Sequence, residues 1–397
     1  MGKLIVRIAS LLLIAAFLPT AVLAAEWNLE NGSIEITATA NAEGGTTQTV
    51  SQGGSSAEDS NPTITSNGNQ TGYTITIKAG GGTTANVTIK DTNISTGNAA
   101  IKTEGKGNVN LNVEGINTVS SGDKHAGVEK ANDGNLTIGS ESGEGELTAN
   151  GGHGGAGIGG GYEGSGSDIT ITGGEITANG GGEAAGIGGG VLGSGSDITI
   201  TGGEVTANGG LCGAGIGGGY KGSGSDVTIS KDSRVEATGG DPCLLGGYGA
   251  AIGGGGYNTD TGNQVDGSEI EPDTSGLYTT GKVERKRGDG TVLDTIVGTV
   301  EPPKSASAEE EPDKREPLYR VLNLDSSSLK YQAQKAGGVL ALTAKADGAI
   351  LTGTLRALGY LQNQGIEKIA FTDGTHTATI VLADLIAKGE AEAVYVL

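Results

Sequence analysis

Between residues 86 and 252, apolar and polar positions alternate in short bursts separated by glycine. In "DITIT", residues 168–172, Ile169 and Ile171 point one way and Asp168, Thr170 and Thr172 the other, the pattern of a strand with one buried face. The burst returns as Asp197-Ile-Thr-Ile and Asp226-Val-Thr-Ile, a period of 29 residues. Asn86-Val-Thr-Ile, Asn108-Val-Asn-Leu and Asn135-Leu-Thr-Ile are looser earlier copies, at spacings of 22, 27 and 33. A second burst follows each of them: Asn93-Ile-Ser, Thr118-Val-Ser, Glu146-Leu-Thr-Ala, Glu175-Ile-Thr-Ala, Glu204-Val-Thr-Ala and Arg234-Val-Glu-Ala. A third is centred on Ile101, Val128, Ile158, Ile187, Ile216 and Ile252, each preceded by Ala or Gly. Three short strands per repeat describe one coil of a parallel β-helix.

The expected fold is all-β: a right-handed parallel β-helix of about six coils over 80–256, followed by a small α+β C-terminal domain. The hand follows from the usual hand of parallel crossovers. Each coil buries few side chains, such as Ile158, Ile169, Ile171 and Ile176, so it cannot stand alone and draws its stability from its neighbours. "WNLENGSIEITATA", "PTITSNG" and "GYTITIKAG", within 25–79, read as strands that open the solenoid, with Trp27 available to cover its end. Residues 257–300 read as a strand-like extension and 301–317, "EPPKSASAEEEPDKREP", as a charged linker. In 318–397, "YRVLNL", "LKYQAQ", "VLALTAKA", "KIAFTDG" and "TATIVLA" alternate as strands. Leu351, Leu355, Leu358 and Leu361 stand at helical spacing before Gly365.

Composition narrows the class of protein. The chain has 77 glycines but ten Tyr, two Phe and one Trp, so its core is built from aliphatic residues. The formal charge of −21 argues against nucleic acid or an anionic membrane as partner, since both demand clustered Lys and Arg. At the N-terminus Lys3 and Arg7 precede an apolar run, and Val22 and Ala24 occupy the places of a signal-peptidase site. Residues 1–24 are thus expected to be a signal peptide and the chain to be secreted, extracellular or at the cell surface. No later stretch reaches the roughly 18 apolar residues of a membrane span. In an exported chain, Cys212 after "NGG" and Cys243 after the next repeat's "TGG" fall on adjacent coils, which predicts a disulfide.

"SGSDITITGGEVTANGG" with "GAGIGGG" resembles the glycine-rich, pectate-lyase-like right-handed β-helix proteins secreted by Gram-positive bacteria. The resemblance covers about residues 26–256, and the C-terminal domain is similar to one often found after such solenoids. It implies a carbohydrate-binding surface protein, on a coil that also carries lyases, hydrolases and inert stalks.

An enzyme on this fold breaks its repeat, because catalysis needs particular residues on adjacent coils. Between 151 and 240 the only Lys or Arg residues are Lys221, Lys231 and Arg234, while His125, His153 and His376 read as solvated turns. The leading reading is therefore a non-enzymatic protein whose solenoid face binds polysaccharide or a surface glycan. The alternative is a passive structural or adhesive stalk, and a calcium-dependent polysaccharide lyase is the lesser reading. Tyr162, Tyr220 and Tyr257 follow the glycine run of their coils and form the expected sugar-stacking column. No cofactor is required, but the column Glu146, Glu175 and Glu204, ending at Arg234, is a candidate Ca2+ site. The column Asp168, Asp197 and Asp226 continues Asn86, Asn108 and Asn135, which points to a turn role shared by Asp and Asn.

Overall fold

The computed structural model describes residues 26–41, 44–244, 246–258 and 263–302. Beyond these it describes 320–322, 331–336, 338–344, 350–354, 361–362, 366–372, 377–382 and 392–396. The expected signal peptide, most of the expected linker and His376 lie outside the described residues. Val22–Pro302 forms one compact unit, and Pro303–Leu397 belongs to another.

In the first unit each coil between the two ends gives one strand to each of three parallel ladders. Sheet I holds the "DITI" strands, including Gly166–Ile171, Gly195–Ile200 and Val227–Ile229. Sheet II holds Glu146–Asn150, Glu175–Asn179, Glu204–Asn208, Arg234–Thr238 and Lys282–Lys286. Sheet III begins with Ile34–Ala40, Ile75–Ala79, Ile101–Gly105 and Val128–Asn132, then narrows to two-residue strands from Ile158–Gly159 to Ile252–Gly253. The unit is a right-handed parallel β-helix of about nine coils.

The ladders start at Glu26 and run to Lys286, beyond the six coils expected over 80–256. The N-terminal strands are coils because they keep the same alternation. Ile34, Ile36 and Ala38 pair with Ile75, Ile77 and Ala79, and all six are buried. Antiparallel strands Thr46–Gln52 and Ser55–Glu58 extend sheet III at this end. Gln48 imitates a backbone rung, its Nε2 donating to Asn86 O and its Oε1 accepting from Asn86 N–H, both at 2.9 Å. Trp27 packs on the core, and its Nε1 donates to Asp59 Oδ2 at 3.1 Å.

At the far end, Glu269 accepts from the N–H groups of Ala251 and Ile252 at 2.7 and 3.3 Å, satisfying the last rung of sheet III. Burial pushes its carboxyl above the usual carboxylate range. Arg285, 5% exposed, bonds Ile270 O, Glu271 and Asp294, and the antiparallel Val292–Val297 finishes sheet II.

The interior is a set of aliphatic columns. Leu136, Ile169, Ile198 and Val227 stack in one, all buried. Ile158, Ile171 and Ile176 are likewise buried. In two places the pairing differs from the sequence alignment by two residues: Asn86 pairs with Asn110 rather than Asn108, and Glu146 with Ile116 rather than Thr118. A two-residue slip keeps the same faces inward, so the hydrophobic pattern alone does not fix it.

One column turns polar. Ile77 pairs with Thr103 and Thr103 with Lys130, so the lysine takes an inward position just where sheet III narrows. Lys130 is 7% exposed, its Nζ donates to Asn132 O at 2.8 Å, and burial holds its ammonium below the usual lysine range. The folded chain therefore binds fewer protons than the unfolded chain below the ordinary lysine pKa, and stability from this residue rises with pH there. Lys130→Met is expected to raise stability at pH 7 and to flatten the rise between pH 7 and 10, measured by urea denaturation. Equal slopes for the two proteins would show that the buried ammonium is not the cause.

In the second unit the described strands are Arg320–Leu322, Tyr331–Ala336, Val339–Ala344, Ile350–Thr354, Lys368–Thr372, Thr377–Val381 and Glu392–Val396, in two sheets. The helix expected from Leu351 is corrected: Leu351 lies on a strand, paired with Val321 and Tyr395. Only Leu361 and Gln362 of that segment are described as helical, while Leu355 and Leu358 lie outside the described residues.

Candidate functional site

Between sheets III and I the chain turns at 160–165, 189–194 and 218–223, and these glycine corners stack into a ridge. The N–H groups of Tyr162, Val191 and Tyr220 donate to the carbonyls of Lys124, Gly154 and Glu183, binding the ridge to the corners that precede sheet III. One residue further on, Glu163 N–H donates to Val191 O, Leu192 N–H to Tyr220 O and Lys221 N–H to Gly256 O. Gly256 therefore stacks on Tyr220, and Tyr257 continues the column of Lys221.

This register corrects the expected tyrosine column. Gly253–Gly256 contains one glycine more than the earlier coils, which moves Tyr257 one place along. Tyr220 is 8% exposed and packs with Val191, Cys212 and Cys243, covering the disulfide. Tyr162 is 44% exposed, with Lys124 Nζ 5.5 Å from its ring centroid. Val191 separates Tyr162 from Tyr220. The three tyrosines thus occupy three different environments.

What the ridge presents instead is the column Glu163, Leu192, Lys221 and Tyr257, all exposed. Glu163, Leu192 and Lys221 have φ of 59°, 64° and 61°. In that left-handed region a side chain costs about 1–2 kcal/mol that glycine avoids. The chain uses glycine at most neighbouring corner positions, yet it keeps side chains at these tips. Beyond Lys221 the ridge opens into a cleft of about 240 Å3 lined by Lys221, Ser223, Tyr257, Ser268, Ile270 and glycine backbone. It combines an aromatic ring, two hydroxyls and an ammonium.

The acidic column has the expected register. Glu146, Glu175, Glu204 and Arg234 pair in succession, and Lys282 follows. Parallel rungs hold these side chains side by side, about 4.8 Å apart, along the outside of sheet II. Among the described residues no three His, Cys, Asp or Glu side chains converge as a metal-binding set. A second cleft, of about 410 Å3, lies where this column changes sign and includes Glu204, Arg234 and Lys282. Asp168, Asp197 and Asp226 have φ of 55°, 53° and 51°, the strained turn position that Asp and Asn tolerate.

The sequence reading missed a polar cluster on the wide part of sheet III. His125 Nδ1 lies 2.7 Å from Glu129 Oε2, and Lys102 Nζ is 3.7 Å from the other carboxylate oxygen. A signal existed, since Val128-Glu-Lys stands where later coils read Ile-Gly-Gly.

A model of the β-helix repeat family matches residues 142–162, 169–191, 198–220 and 227–256. The first match carries one strand of sheet II and one of sheet III, the other three carry strand residues of all three sheets, and each ends in the glycine corner that follows sheet III. These coils are β-helix repeats. No curated protein and no solved structure matches the chain. Among the described residues no helix is long and apolar enough to cross a membrane.

The disulfide lies in the neighbouring corner, between sheets II and III, packed against Val191 and Tyr220 of the ridge. Cys212 and Cys243 are bonded, with Cα atoms 5.5 Å apart. Cys212 is fully buried, and its N–H donates to Asp241 O at 2.7 Å.

Proposed function

We propose that this β-helix is secreted, acts at or outside the cell surface, and binds a polysaccharide along its ridge without cleaving it. The observation that carries this reading is the strained tip column Glu163, Leu192 and Lys221, continued by Tyr257. Side chains kept where glycine is less strained mark positions held for something other than folding. A column that recurs with each coil suits a polymer, since several weak contacts then act together. Tyr257 supplies a ring face for a sugar, and Ser223 and Ser268 supply hydroxyls beside it.

The test separates binding from stability. Replacing Leu192 and Lys221 together by Gly is expected to raise stability by about 1–2 kcal/mol, because two strained residues relax. The same variant, and Tyr257→Ala, are expected to lose at least fivefold in retention on the glycan that the parent selects from a glycan array. Binding is expected to survive chelation, as among the described residues no acidic set converges. If the glycine variant is more stable and binds equally well, the ridge reading fails. If the parent retains no glycan, the passive stalk takes its place.

A further inference from the structure

The larger cleft, of about 410 Å3, sits on sheet II, away from the ridge. Its lining includes Glu204, Thr206, Arg234, Glu236, Thr279, Thr280, Lys282 and Glu284. Four charges at its edge satisfy one another. Lys282 Nζ lies 2.5 Å from Glu284, while Lys286 Nζ lies 2.7 Å from Glu236 and 2.9 Å from Glu284. These ammonium groups hold the Glu284 carboxyl down at about 2.

Two charges are left over. Glu204 and Arg234 are direct partners in the ladder and both are exposed, yet among the described residues neither makes an ion pair within 4.0 Å. The cleft thus offers one unengaged carboxylate and one unengaged guanidinium on neighbouring rungs, whose strands lie about 4.8 Å apart. With Lys286 included, its three carboxylates and three cations balance. A balanced cleft on a chain of charge −21 gives no attraction to a polyanion. No aromatic ring lines it, so it also lacks the stacking surface of the ridge cleft.

We propose that this cleft binds an α-amino-acid zwitterion, with Arg234 holding the carboxylate as a two-pronged donor and Glu204 accepting from the ammonium. Thr206, Thr279 and Thr280 supply hydroxyls around it. The site is independent of polysaccharide binding at the ridge.

Ligand-observed NMR on the full chain, with alanine as probe, tests the assignment. Alanine is expected to bind at least fivefold more tightly than N-acetylalanine, which lacks the ammonium, alaninamide, which lacks the carboxylate, or galacturonate. Glu204→Gln and Arg234→Gln, both at exposed positions, are each expected to weaken alanine at least tenfold, while Tyr257→Ala leaves it unchanged. Exchanging the pair, Glu204→Arg with Arg234→Glu, is expected to restore binding above either single variant, because an amino acid can enter turned round. Equal binding of alanine and its two blocked forms overturns the proposal, as does preference for galacturonate or no detectable binding of alanine. None of these results bears on the ridge, whose own test is retention of a glycan.

Discussion

Reducing the Cys212–Cys243 bond is expected to lower the thermal midpoint of the β-helix by roughly 6–16 °C. The bond closes a loop of 31 residues, which in the chain-entropy model contributes about 3–4 kcal/mol. For a unit of this size each kcal/mol moves the midpoint by about 2–4 °C. The location makes the loss regional. Cys243 lies in the insertion "DPCLLGGYG", and Gly256 N–H donates to Cys212 O at 2.7 Å, so the bond fastens an irregular coil to a regular one. A solenoid is stabilised mainly through neighbouring coils, so opening should spread from this seam toward the C-terminal coils. Hydrogen exchange is therefore expected to quicken most after residue 212 on reduction or in Cys212→Ala/Cys243→Ala, and little before residue 150. Two free thiols in the unreduced protein, or uniform quickening along all coils, would refute it.

The coil was legible because each strand has one buried face and the 29-residue period places equivalent residues on one ladder. Ile169, Ile198 and Val227 could be assigned to one column from spacing alone. Cys212 and Cys243 could be paired for the same reason. What was not legible depended on single-residue offsets. Tyr257 looked equivalent to Tyr220 because both follow a glycine run, but one additional glycine moves it from the base of the ridge to its tip. The positive φ of Leu192 and Lys221 left no mark in the hydrophobic pattern, since both are exposed. Residues 25–79 read as strands that open the solenoid rather than as further coils; Ile34 and Ile36 carry the inward alternation of a coil, but the antiparallel Thr46–Gln52 and Ser55–Glu58 interrupt the repeat between one coil and the next. The Glu204–Arg234 cleft required Thr279, Thr280 and Lys282, which come from a segment that reads as irregular.

Gly210→Ala is expected to destabilise the β-helix by about 3 kcal/mol, the upper range for forcing an added carbon into a closed interior. Gly152, Gly181, Gly210 and Gly240 form a column at the corner after sheet II. A Cβ on each would fall within 3.0 Å of the carbonyl oxygen of the glycine one coil earlier, Gly122, Gly152, Gly181 and Gly210. None of the four has a positive φ, so turn geometry is not what demands glycine there. The demand is close approach of one backbone to the next, and the opposing atom is a carbonyl fixed in its own coil, which cannot swing aside. Gly182 provides the control. Its added Cβ would meet the His153 ring, a side chain free to rotate, and its φ is not positive. Gly182→Ala should therefore be neutral or stabilising by about 0.4–1 kcal/mol through the unfolded chain. Two substitutions of the same kind, 28 residues apart, are thus expected to diverge, Gly210→Ala lowering the thermal midpoint by roughly 6–12 °C and Gly182→Ala leaving it unchanged or higher. If both melt together, the repeated glycines are not there to let neighbouring coils touch.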